Sequence, residues 1–319
     1  MGDRLYIVVP CYNEEDVINT TAKRLGEKMR ELEAAGKISG NGKVVFVDDG
    51  SRDKTWEMIE DLRAVDAMFA GIKLSHNAGH QNALLAGLMA VKDETDMAVS
   101  IDADLQDDIS AIDRMVDEYI SGCDIVYGVR GNRENDSFFK RFTAERYYKL
   151  LRALGCDIMF NHADYRLMSS RALEALSKYG EQRLFLRGLV PMLGYKTAVV
   201  EYTRGVREAG ESKYPLRRML TLAIDGLLSL SLRPLRVVLA VGALMLVAAA
   251  ALLVYIVIAL ILRRPALDMM FMMFSIWAVG GIVTTSLGIV GEYVGRAFIE
   301  TKRRPRYNIE KSIGVDERD

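Results

Sequence analysis

Short β-branched runs and longer amphipathic stretches alternate over the first 130 residues of this 319-residue chain. Each run places several apolar residues side by side, which is typical of strands buried on both faces of a parallel sheet. The pattern predicts strands at 4–10, 43–48, 69–74, 97–102 and 124–128, and helices at 14–35, 53–64, 80–91 and 110–121. It therefore indicates an α/β fold in which helices cover both faces of a mainly parallel sheet. No GxGxxG turn follows the first strand, which disfavours a dinucleotide oxidoreductase.

The last third of the chain has a different pattern. Two uncharged apolar runs, Val237–Leu262 and Met269–Gly291, contain 26 and 23 residues. About 20 apolar residues are enough for a helix to cross the hydrocarbon of a bilayer. The alternative, two buried core helices, is poor because too little sequence remains to cover both. The predicted division is a globular domain at 1–214, interfacial helices at 215–234, two transmembrane helices within 235–295 and a tail at 296–319.

Basic residues concentrate on the outer flanks of the two expected spans. The connector at 263–268 has two arginines and one acid. Because Lys and Arg favour the cytoplasmic side, both termini should be cytoplasmic, with the chain in the inner membrane. The formal charge is only −1, and nucleic acid is not an expected partner. The flanking residues are Arg217, Arg218, Arg233, Arg236, Arg296, Lys302, Arg303, Arg304 and Arg306.

Polar side chains follow three of the predicted strands at the points where the strands end. Loops after parallel strands lie at one edge of a sheet, so these groups should converge. Carboxylate oxygens there suit Mg²⁺ or Mn²⁺, which commonly accompany a phosphorylated substrate. Asn13 or Ser51 could also cap the helix that follows. The alternative is a set of solvated acidic turns. The groups are Asn13, Glu14, Asp48, Asp49, Asp102 and Asp104.

The cysteines and histidines indicate no metal centre or disulfide framework. Cys11, Cys123 and Cys156 are scattered and fit no zinc spacing, so we expect reduced core thiols. His76 and His80 are four residues apart without a third ligand nearby, and His80 is expected to start a helix.

Seven parts of the chain together resemble one known family. On these motifs the chain resembles a family 2 glycosyltransferase of the A-type fold. More narrowly, it is similar to polyprenyl-phosphate glycosyltransferases, which include dolichyl-phosphate mannose synthases and bactoprenol glucosyltransferases. One departure is Asp108-Ile109, where these relatives usually carry two prolines. The motifs are VPCYNEE, VDDGSRDKT, NAGHQNALLAGL, DADLQD, GVR with SFFKR, ADYRLMSSRAL and AGESKYPLRRML.

The resemblance implies inverting transfer of a sugar from a nucleotide-diphosphate sugar, with UDP as the expected nucleotide. The acceptor would be a polyprenyl phosphate such as undecaprenyl phosphate, and the product would serve cell-envelope glycan modification. The implied metal ligands for Mg²⁺ or Mn²⁺ are Asp102, Asp104 and Gln106, with Asp104 also catalytic. Asp48 is a supporting residue or only a turn residue. The implied nucleotide-sugar-binding residues are Pro10, Tyr12, Glu14, Asp49, Asp102, Arg207 and Lys213.

The acceptor is already an anion, because a phosphate monoester is largely dianionic at neutral pH. It therefore needs cationic positioning more than a strong base. The resemblance places Arg130, Lys140 and Arg141 in that role, Arg130 also being catalytic. Asp164 stands where related transferases carry a catalytic acid. It could be a base, orient the acceptor, or only pair with Arg166.

Three further points stay open from the sequence. A non-catalytic nucleotide-sugar-binding membrane partner is the alternative function. The basic stretch 137–154 is either a lipid-facing amphipathic helix or a solvated one. Glycines 288, 291 and 295 permit close helix approach, and some relatives are tetramers, so a homo-oligomer in contact with membrane lipid is expected. A polysaccharide-extending enzyme would carry Gln-x-x-Arg-Trp, which is absent.

Overall fold

The computed structural model of the chain describes residues 2–104, 106–131, 162–181, 185–202 and 268–315. All the strands and helices predicted within the first 130 residues are present, with ends shifted by at most four residues. The strands are β1 Leu5–Cys11, β2 Lys43–Asp48, β3 Phe69–Leu74, β4 Met97–Ser100, β5 Ile125–Arg130, β6 His162–Ser169, β7 Thr197–Tyr202 and β8 Ile309–Ile313. The helices are α1 Ile18–Ala34, α2 Thr55–Val65, α3 His80–Val91, α4 Ala111–Ile120, α5 Ser170–Ser177, α6 Leu186–Met192 and α7 Asp268–Thr301.

Eight strands form one sheet in the order β7-β5-β6-β4-β1-β2-β3-β8. Strands β4, β1, β2 and β3 are parallel neighbours, as the alternation of strands and helices predicted. Strand β6 is antiparallel to both β4 and β5, and β8 is antiparallel to β3. Strands β5 and β7 are also parallel to each other, so only β6 and β8 run against the other six described strands. The sheet is therefore mixed but mainly parallel, as predicted. The antiparallel partners come from distant parts of the chain, which local periodicity does not report.

The helices lie on both faces of the sheet, as predicted. Consecutive residues of β1 point to opposite faces: Ile7 packs with Leu25 and Ile112 in one core, and Val8 packs with Leu84 in the other. Every residue of β1 is buried. Burying one such aliphatic side chain contributes about 1.5–3 kcal/mol. The two cores hold the strands rigidly, so the strand ends are fixed positions from which functional side chains can project.

The tail after α7 returns to the globular domain. Its strand β8 pairs with β3, with Ile72 opposite Ser312. The pairing is extended by Ser75 N–H, which donates to Asn308 O at 2.9 Å, and by Lys43 Nζ, which donates to Gly314 O at 2.6 Å. Residues 309–313, expected to lie in a separate tail, are an edge strand of the main sheet.

The expected second span, 269–291, falls within α7, whereas the first, 237–262, lies outside the described residues. Within the part of the chain that the structure describes, no helix combines the length and apolarity needed to cross a membrane. The two spans stay a prediction, as do the interfacial helices at 215–234.

Candidate active site

The carboxyl ends of β1, β2 and β4 lie together, as predicted from their parallel order. Cys11 at the end of β1 pairs with Asp48 at the end of β2, and Val8 pairs with Ser100 at the end of β4. We call this side of the sheet the acidic edge, defined by the loops at 12–15, 49–54 and 101–108. Strand β5 runs in the same direction as β4, so Arg130 at its end also reaches the acidic edge.

The first two loops of the acidic edge are fastened to each other. Asn13 N–H donates to Ser51 Oγ at 2.9 Å, and Arg52 N–H donates to Asn13 Oδ1 at 2.9 Å. Glu14 N–H donates to Thr55 Oγ1 at 2.9 Å. Asn13 adopts φ 54°, a conformation that asparagine tolerates better than most residues. The suggestion that Asn13 or Ser51 caps a helix is wrong, because their side chains join the two loops instead.

The predicted nucleotide residues occupy these fastened loops. Pro10 is buried in β1, whereas Tyr12 follows it with 41% of its surface exposed. Glu14 is partly buried, and its carbonyl accepts the Val17 N–H at 3.0 Å. An exposed aromatic ring beside a rigid loop is a suitable surface for a base or sugar to pack against. The structure thus brings Tyr12 and Glu14 to the acidic edge and places Pro10 beneath it.

Asp49 organises the third loop of the site, between β3 and α3. Its Oδ1 accepts the Ala78 N–H at 2.7 Å and its Oδ2 accepts the Gly79 N–H at 3.0 Å. Burial raises the pKa of Asp49, although these two backbone bonds oppose the rise. Gly50 sits at φ 68°, and a Cβ there would lie 2.7 Å from the His76 carbonyl carbon. Asp49 and Gly50 therefore set the position at which α3 begins with His80.

Asp48 behaves as a turn residue. It is fully buried, and its Oδ1 accepts the Ser51 N–H at 3.0 Å. Burial raises the pKa of its carboxyl group. Of the two interpretations of Asp48, the turn interpretation accounts for this contact.

The predicted metal ligands follow β4. Asp102 has 41% of its side chain exposed, and Gln106 is buried. Asp104 Oδ1 accepts the Gln106 N–H at 3.2 Å, which closes a tight turn. Burial raises the pKa of Asp102, and the fields of Asp164, Asp107 and Asp104 act in the same direction while His80 opposes them. Mutual repulsion between carboxylates is what a divalent cation relieves.

These residues fit a magnesium or manganese ion in donor chemistry. Among the described residues there is no cluster of three or more His, Cys, Asp and Glu side chains that could hold a metal ion. Mg²⁺, however, is often bound by only one or two carboxylates together with substrate phosphates and water. Two acidic side chains at the acidic edge are sufficient for that kind of site.

The loop after the predicted metal ligands is held by side chains from two other strands. Tyr165 Oη donates to Asp108 O at 2.9 Å, and Tyr202 Oη donates to Asp107 Oδ1 at 2.6 Å. The Asp108 carboxylate accepts the Ser110 N–H at 2.9 Å and the Ser110 hydroxyl at 2.7 Å. These contacts from β6 and β7 stiffen the turn that a Pro-Pro pair would otherwise restrict.

Asp164 is buried and lies against three basic side chains at the acidic edge. Arg166 Nη2 is 2.5 Å from Asp164 Oδ1, and Arg187 Nη2 is 3.1 Å from Asp164 Oδ2. His80 Nε2 lies 3.7 Å from Asp164 Oδ2 and 3.5 Å from Asp102 Oδ1. Although burial alone would raise it, the pKa of Asp164 is held well below its usual range by Arg187, His80 and Arg166.

The pKa of His80 shifts in the opposite direction to that of Asp164. Burial lowers its pKa, but the neighbouring carboxylates of Asp164 and Asp102 raise it overall. The imidazole thus connects the predicted metal ligand Asp102 with the predicted catalytic residue Asp164. Sequence reasoning considered His80 only as a zinc ligand or a helix start. The signal that could have found it is its position after a parallel strand, beside the three loops already chosen.

Arg187 was also missed. It lies on α6, whose start is fastened by Gln81 Oε1, which accepts the Leu186 N–H at 3.2 Å, and by Leu186 O, which accepts from Arg166 Nη1 at 3.4 Å. No local pattern marks this arginine, because α6 is seven residues long with an internal proline, Pro191. Only the packing of α6 against β6 and α3 brings Arg187 to the site.

Arg130 is the last residue of β5, and four other predicted site residues fall outside the described residues. The acceptor residues Lys140 and Arg141 and the loop residues Arg207 and Lys213 lie in stretches that the structure does not describe. Their roles stay predictions.

Cys11 and Cys123 are free and buried, as expected of core thiols. Cys11 Sγ donates to Val47 O at 3.4 Å. Burial, together with the neighbouring carboxylates, raises the pKa of the Cys11 thiol well above its usual range. A thiol in this state is a poor nucleophile.

Comparisons with known proteins identify the family of this chain. The model of the family named "Glycosyl transferase family 2" matches residues 6–177, more than half of the chain. The chain belongs to glycosyltransferase family 2. This confirms the resemblance drawn from the motifs, and the family supports an enzyme that transfers sugars, built on an A-type α/β fold with a mixed sheet.

Two relatives and one solved structure show how similar this chain is to known proteins. The chain is 45% identical to the uncharacterized glycosyltransferase YkoT of Bacillus subtilis over 96% of this chain and 91% of that protein. It is 36% identical to the bactoprenol glucosyl transferase of Shigella phage SfX over 96% of this chain and 98% of that protein. A glucosyl-3-phosphoglycerate synthase from Mycobacterium tuberculosis, solved with Mn²⁺, UDP-glucose and phosphoglyceric acid, is 19% identical, with 72% and 79% of the chains covered and a TM-score of 0.44.

Proposed function

We propose that this protein transfers a sugar from a UDP-sugar to a polyprenyl phosphate, with inversion at the anomeric carbon, on the cytoplasmic face of the inner membrane. The product would be a lipid-linked sugar for cell-envelope glycan modification, and undecaprenyl phosphate is the expected acceptor. Glycosyl transfer to such a carrier is supported by similarity, over nearly the full length, to proteins named bactoprenol glucosyl transferase. The observation that carries the proposal is the meeting of carboxylates and cationic side chains at one edge of the sheet.

The donor half of the proposal rests on the fastened loops. Tyr12 would pack against the uridine, while Glu14 and the loop ordered by Asp49 would contact the base and ribose. When bound between Asp102, Asp104 and the diphosphate, Mg²⁺ or Mn²⁺ would offset the charge that develops on the leaving nucleotide. The rigid strand ends position these groups before the donor arrives, which avoids a reorganisation cost during the reaction.

The acceptor half follows from charge. A polyprenyl phosphate is already nucleophilic at neutral pH and needs no strong base. Asp164 is held as an anion by two arginines, so it is a weak base and suits an orienting role better than proton abstraction. Arg130, Lys140 and Arg141 are proposed to hold the acceptor phosphate, and Arg207 and Lys213 to cover the diphosphate. Arginine offers phosphate two parallel donors, which fixes both distance and direction.

The proposed membrane location is supported by the two apolar runs and by the position of β8. Because β8 lies in the same sheet as β3, residues 309–313 must be on the same side of any membrane as the globular domain. Any crossings between them must therefore be even in number, which suits two spans with both termini cytoplasmic. Large exposed apolar side chains also recur every three or four residues along α7, at Met272, Ile276, Val279, Val283, Leu287, Val290, Val294 and Phe298.

The membrane proposal is tested by labelling. Cysteines introduced at Pro265 and at Glu310 should react differently with an impermeant reagent applied to intact cells. We expect labelling at 265 and none at 310 until the membrane is opened. The reverse pattern would place the acidic edge away from its cytoplasmic donor and would contradict the proposed location. A homo-oligomer of tetramer size is proposed from the glycines near 288–295, which permit close helix approach, and is checked by mass in detergent.

The reaction itself is tested with a donor panel. Purified full-length protein is mixed with undecaprenyl phosphate, Mg²⁺ or Mn²⁺, and a series of UDP- and GDP-sugars, and the lipid product is followed. We expect one UDP-sugar to be transferred far faster than the others. Binding of a UDP-sugar without transfer to any polyprenyl phosphate would instead favour a non-catalytic nucleotide-sugar-binding partner. Preference for a GDP-sugar would contradict only the proposed nucleotide and would leave the proposed reaction unchanged.

A further inference from the structure

We propose that Arg187 binds phosphate oxygens of a substrate and that Asp164, backed by Arg166, is the positioning residue that aims its guanidinium. This inference rests on the proposed function, since it assigns a role within the same site. It concerns two side chains, Arg166 and Arg187, that neither the motif reasoning nor the family comparison singles out as ligand-binding.

The first step is the geometry of the pair. Arg187 meets the Asp164 carboxylate with two of its nitrogens, Nη2 at 3.1 Å from Oδ2 and Nε at 3.4 Å from Oδ1. A two-point contact of this kind fixes the plane of the guanidinium group. The carboxylate is itself fixed, because Arg166 Nη2 lies 2.5 Å from its Oδ1. The backbone carbonyl of Asp164 also accepts the Ser100 hydroxyl at 2.5 Å.

The second step is the difference in burial between the two arginines. The side chain of Arg166 is 2% exposed, and that of Asp164 is 7% exposed. Arg166 is thus a buried partner of the carboxylate. The side chain of Arg187 is 41% exposed, so its positive charge is held by a buried carboxylate while its outer part faces solvent at the acidic edge.

The third step is location. His80 Nε2 lies 3.5 Å from Asp102 and 3.7 Å from Asp164, so a single imidazole separates the carboxylate that holds Arg187 from the predicted metal ligand. A diphosphate bound near Asp102 and Asp104, or an acceptor phosphate approaching it, would come within the neighbourhood of this guanidinium. Both groups are phosphates, and both would be drawn to a fixed cation there.

Because phosphate could come from the donor or from the acceptor, the experiment has two arms. The full-length protein is studied as wild type, Arg187→Ala and Arg187→Lys. UDP binding is measured by calorimetry, and initial rates are measured at varied undecaprenyl phosphate concentration. The matched control is Arg171→Ala. Arg171 pairs with Asp124 at the opposite edge of the sheet and is likewise partly exposed, at 66%.

We expect Arg187→Ala to weaken one phosphate-bearing substrate at least tenfold while the melting temperature stays near that of the wild type. Weaker UDP binding would assign Arg187 to the donor diphosphate, and a raised KM for undecaprenyl phosphate with unchanged UDP binding would assign it to the acceptor. Arg187→Lys should recover only part of the loss, because lysine keeps the charge but not the planar fork. Arg171→Ala should leave both quantities within twofold.

Unchanged UDP binding together with unchanged acceptor kinetics in Arg187→Ala would overturn the inference. So would complete recovery by lysine, since a point charge would then be enough and the aim set by Asp164 would not matter. Absence of transfer by the wild type would contradict the proposed function instead. The calorimetric arm would in that case still decide whether Arg187 contacts the diphosphate.

Discussion

Two aspartate–arginine groups lie at opposite edges of the same sheet, and they differ in what surrounds them. Asp124, just before β5, meets Arg171 and the Ser169 hydroxyl, and Arg171 packs over the Tyr195 ring. Asp164, near the start of β6, meets Arg166, Arg187 and His80. In the first group one exposed cation balances one carboxylate. In the second group the buried Arg166 pairs with the carboxylate, and Arg187 and His80 face the loops after the parallel strands.

The different surroundings of Asp124 and Asp164 distinguish a structural carboxylate from a candidate functional one. Asp124 ties α5 and β7 to β5, because its backbone and side chain together bond Lys196, Ser169 and Arg171. Its contacts account for all that it does. The Asp164 group includes the half-exposed side chain of Arg187, at the edge where open α/β sheets bind their ligands. A cation held in such a place suits a ligand of opposite sign.

The largest expected effect concerns the acidic edge itself. Asp104→Ala should lower turnover on the order of a thousandfold, which corresponds to about 4 kcal/mol of lost transition-state stabilisation. Chelation with EDTA should also silence the wild type. Initial rates with saturating donor and acceptor check both. Asp113→Ala is the control, since Asp113 pairs with Lys28 on the helical surface. Full activity in EDTA would remove the metal ion from the mechanism.

The second prediction compares the same substitution in the two aspartate–arginine groups. Asp164→Asn should lower turnover about a hundredfold and also destabilise the fold, because Arg166 would lose its buried anionic partner, at a cost of about 3–5 kcal/mol. Asp124→Asn should leave turnover within about twofold and cost about 1–3 kcal/mol, the range for a hydrogen bond to a charged group. Rates and thermal melts are measured on both variants. Equal losses of turnover would mean that the two groups do not differ in function.

A third prediction uses two glycines with similar backbone angles. Gly50 has φ 68° and would place a Cβ 2.7 Å from the His76 carbonyl carbon, whereas Gly36 has φ 70° with nothing within 4 Å. Gly36→Ala should cost about 1 kcal/mol from the unfavourable conformation alone. Gly50→Ala should cost more and weaken UDP binding, because the loop held by Asp49 must move. Calorimetry and melting curves on both variants test this, and equal behaviour would mean that the loop tolerates the clash.

The smallest expected effect is the pH dependence at the opposite edge. Burial raises the pKa of Asp124, but Arg171 and Ser169 lower it overall. Because its pKa is lower in the folded than in the unfolded chain, its contribution to stability is present above about pH 4 and is lost as the pH falls through the folded value. The melting temperature of the wild type should exceed that of Asp124→Asn at pH 7, and this difference should shrink by on the order of a degree or two at pH 3.5. If the difference in melting temperature grew on acidification, the pKa of Asp124 would be raised on folding and not lowered.

Much of the fold was predictable from local pattern. The strands and helices from β1 to β5 were predicted because each is built from a short buried run or an amphipathic stretch that local sequence encodes. Strands β6, β7 and β8 were not predicted. Strand β6 enters the sheet antiparallel between β4 and β5, and β8 joins β3 from more than 200 residues away along the chain. Such pairings depend on the whole fold, which no window of sequence contains.

The site divides in the same way. The sequence by itself determined that carboxylates would gather where parallel strands end, because strand direction and loop position follow from the alternation of strands and helices. It therefore determined the places of Asp49, Asp102 and Asp104. Only the tertiary structure decided that Arg187 and His80 join them, since α6 and α3 meet through packing and hydrogen bonds between residues about 100 positions apart. Acidity at a strand end is a local property, whereas a cation held in place by a buried carboxylate exists only once the chain has folded.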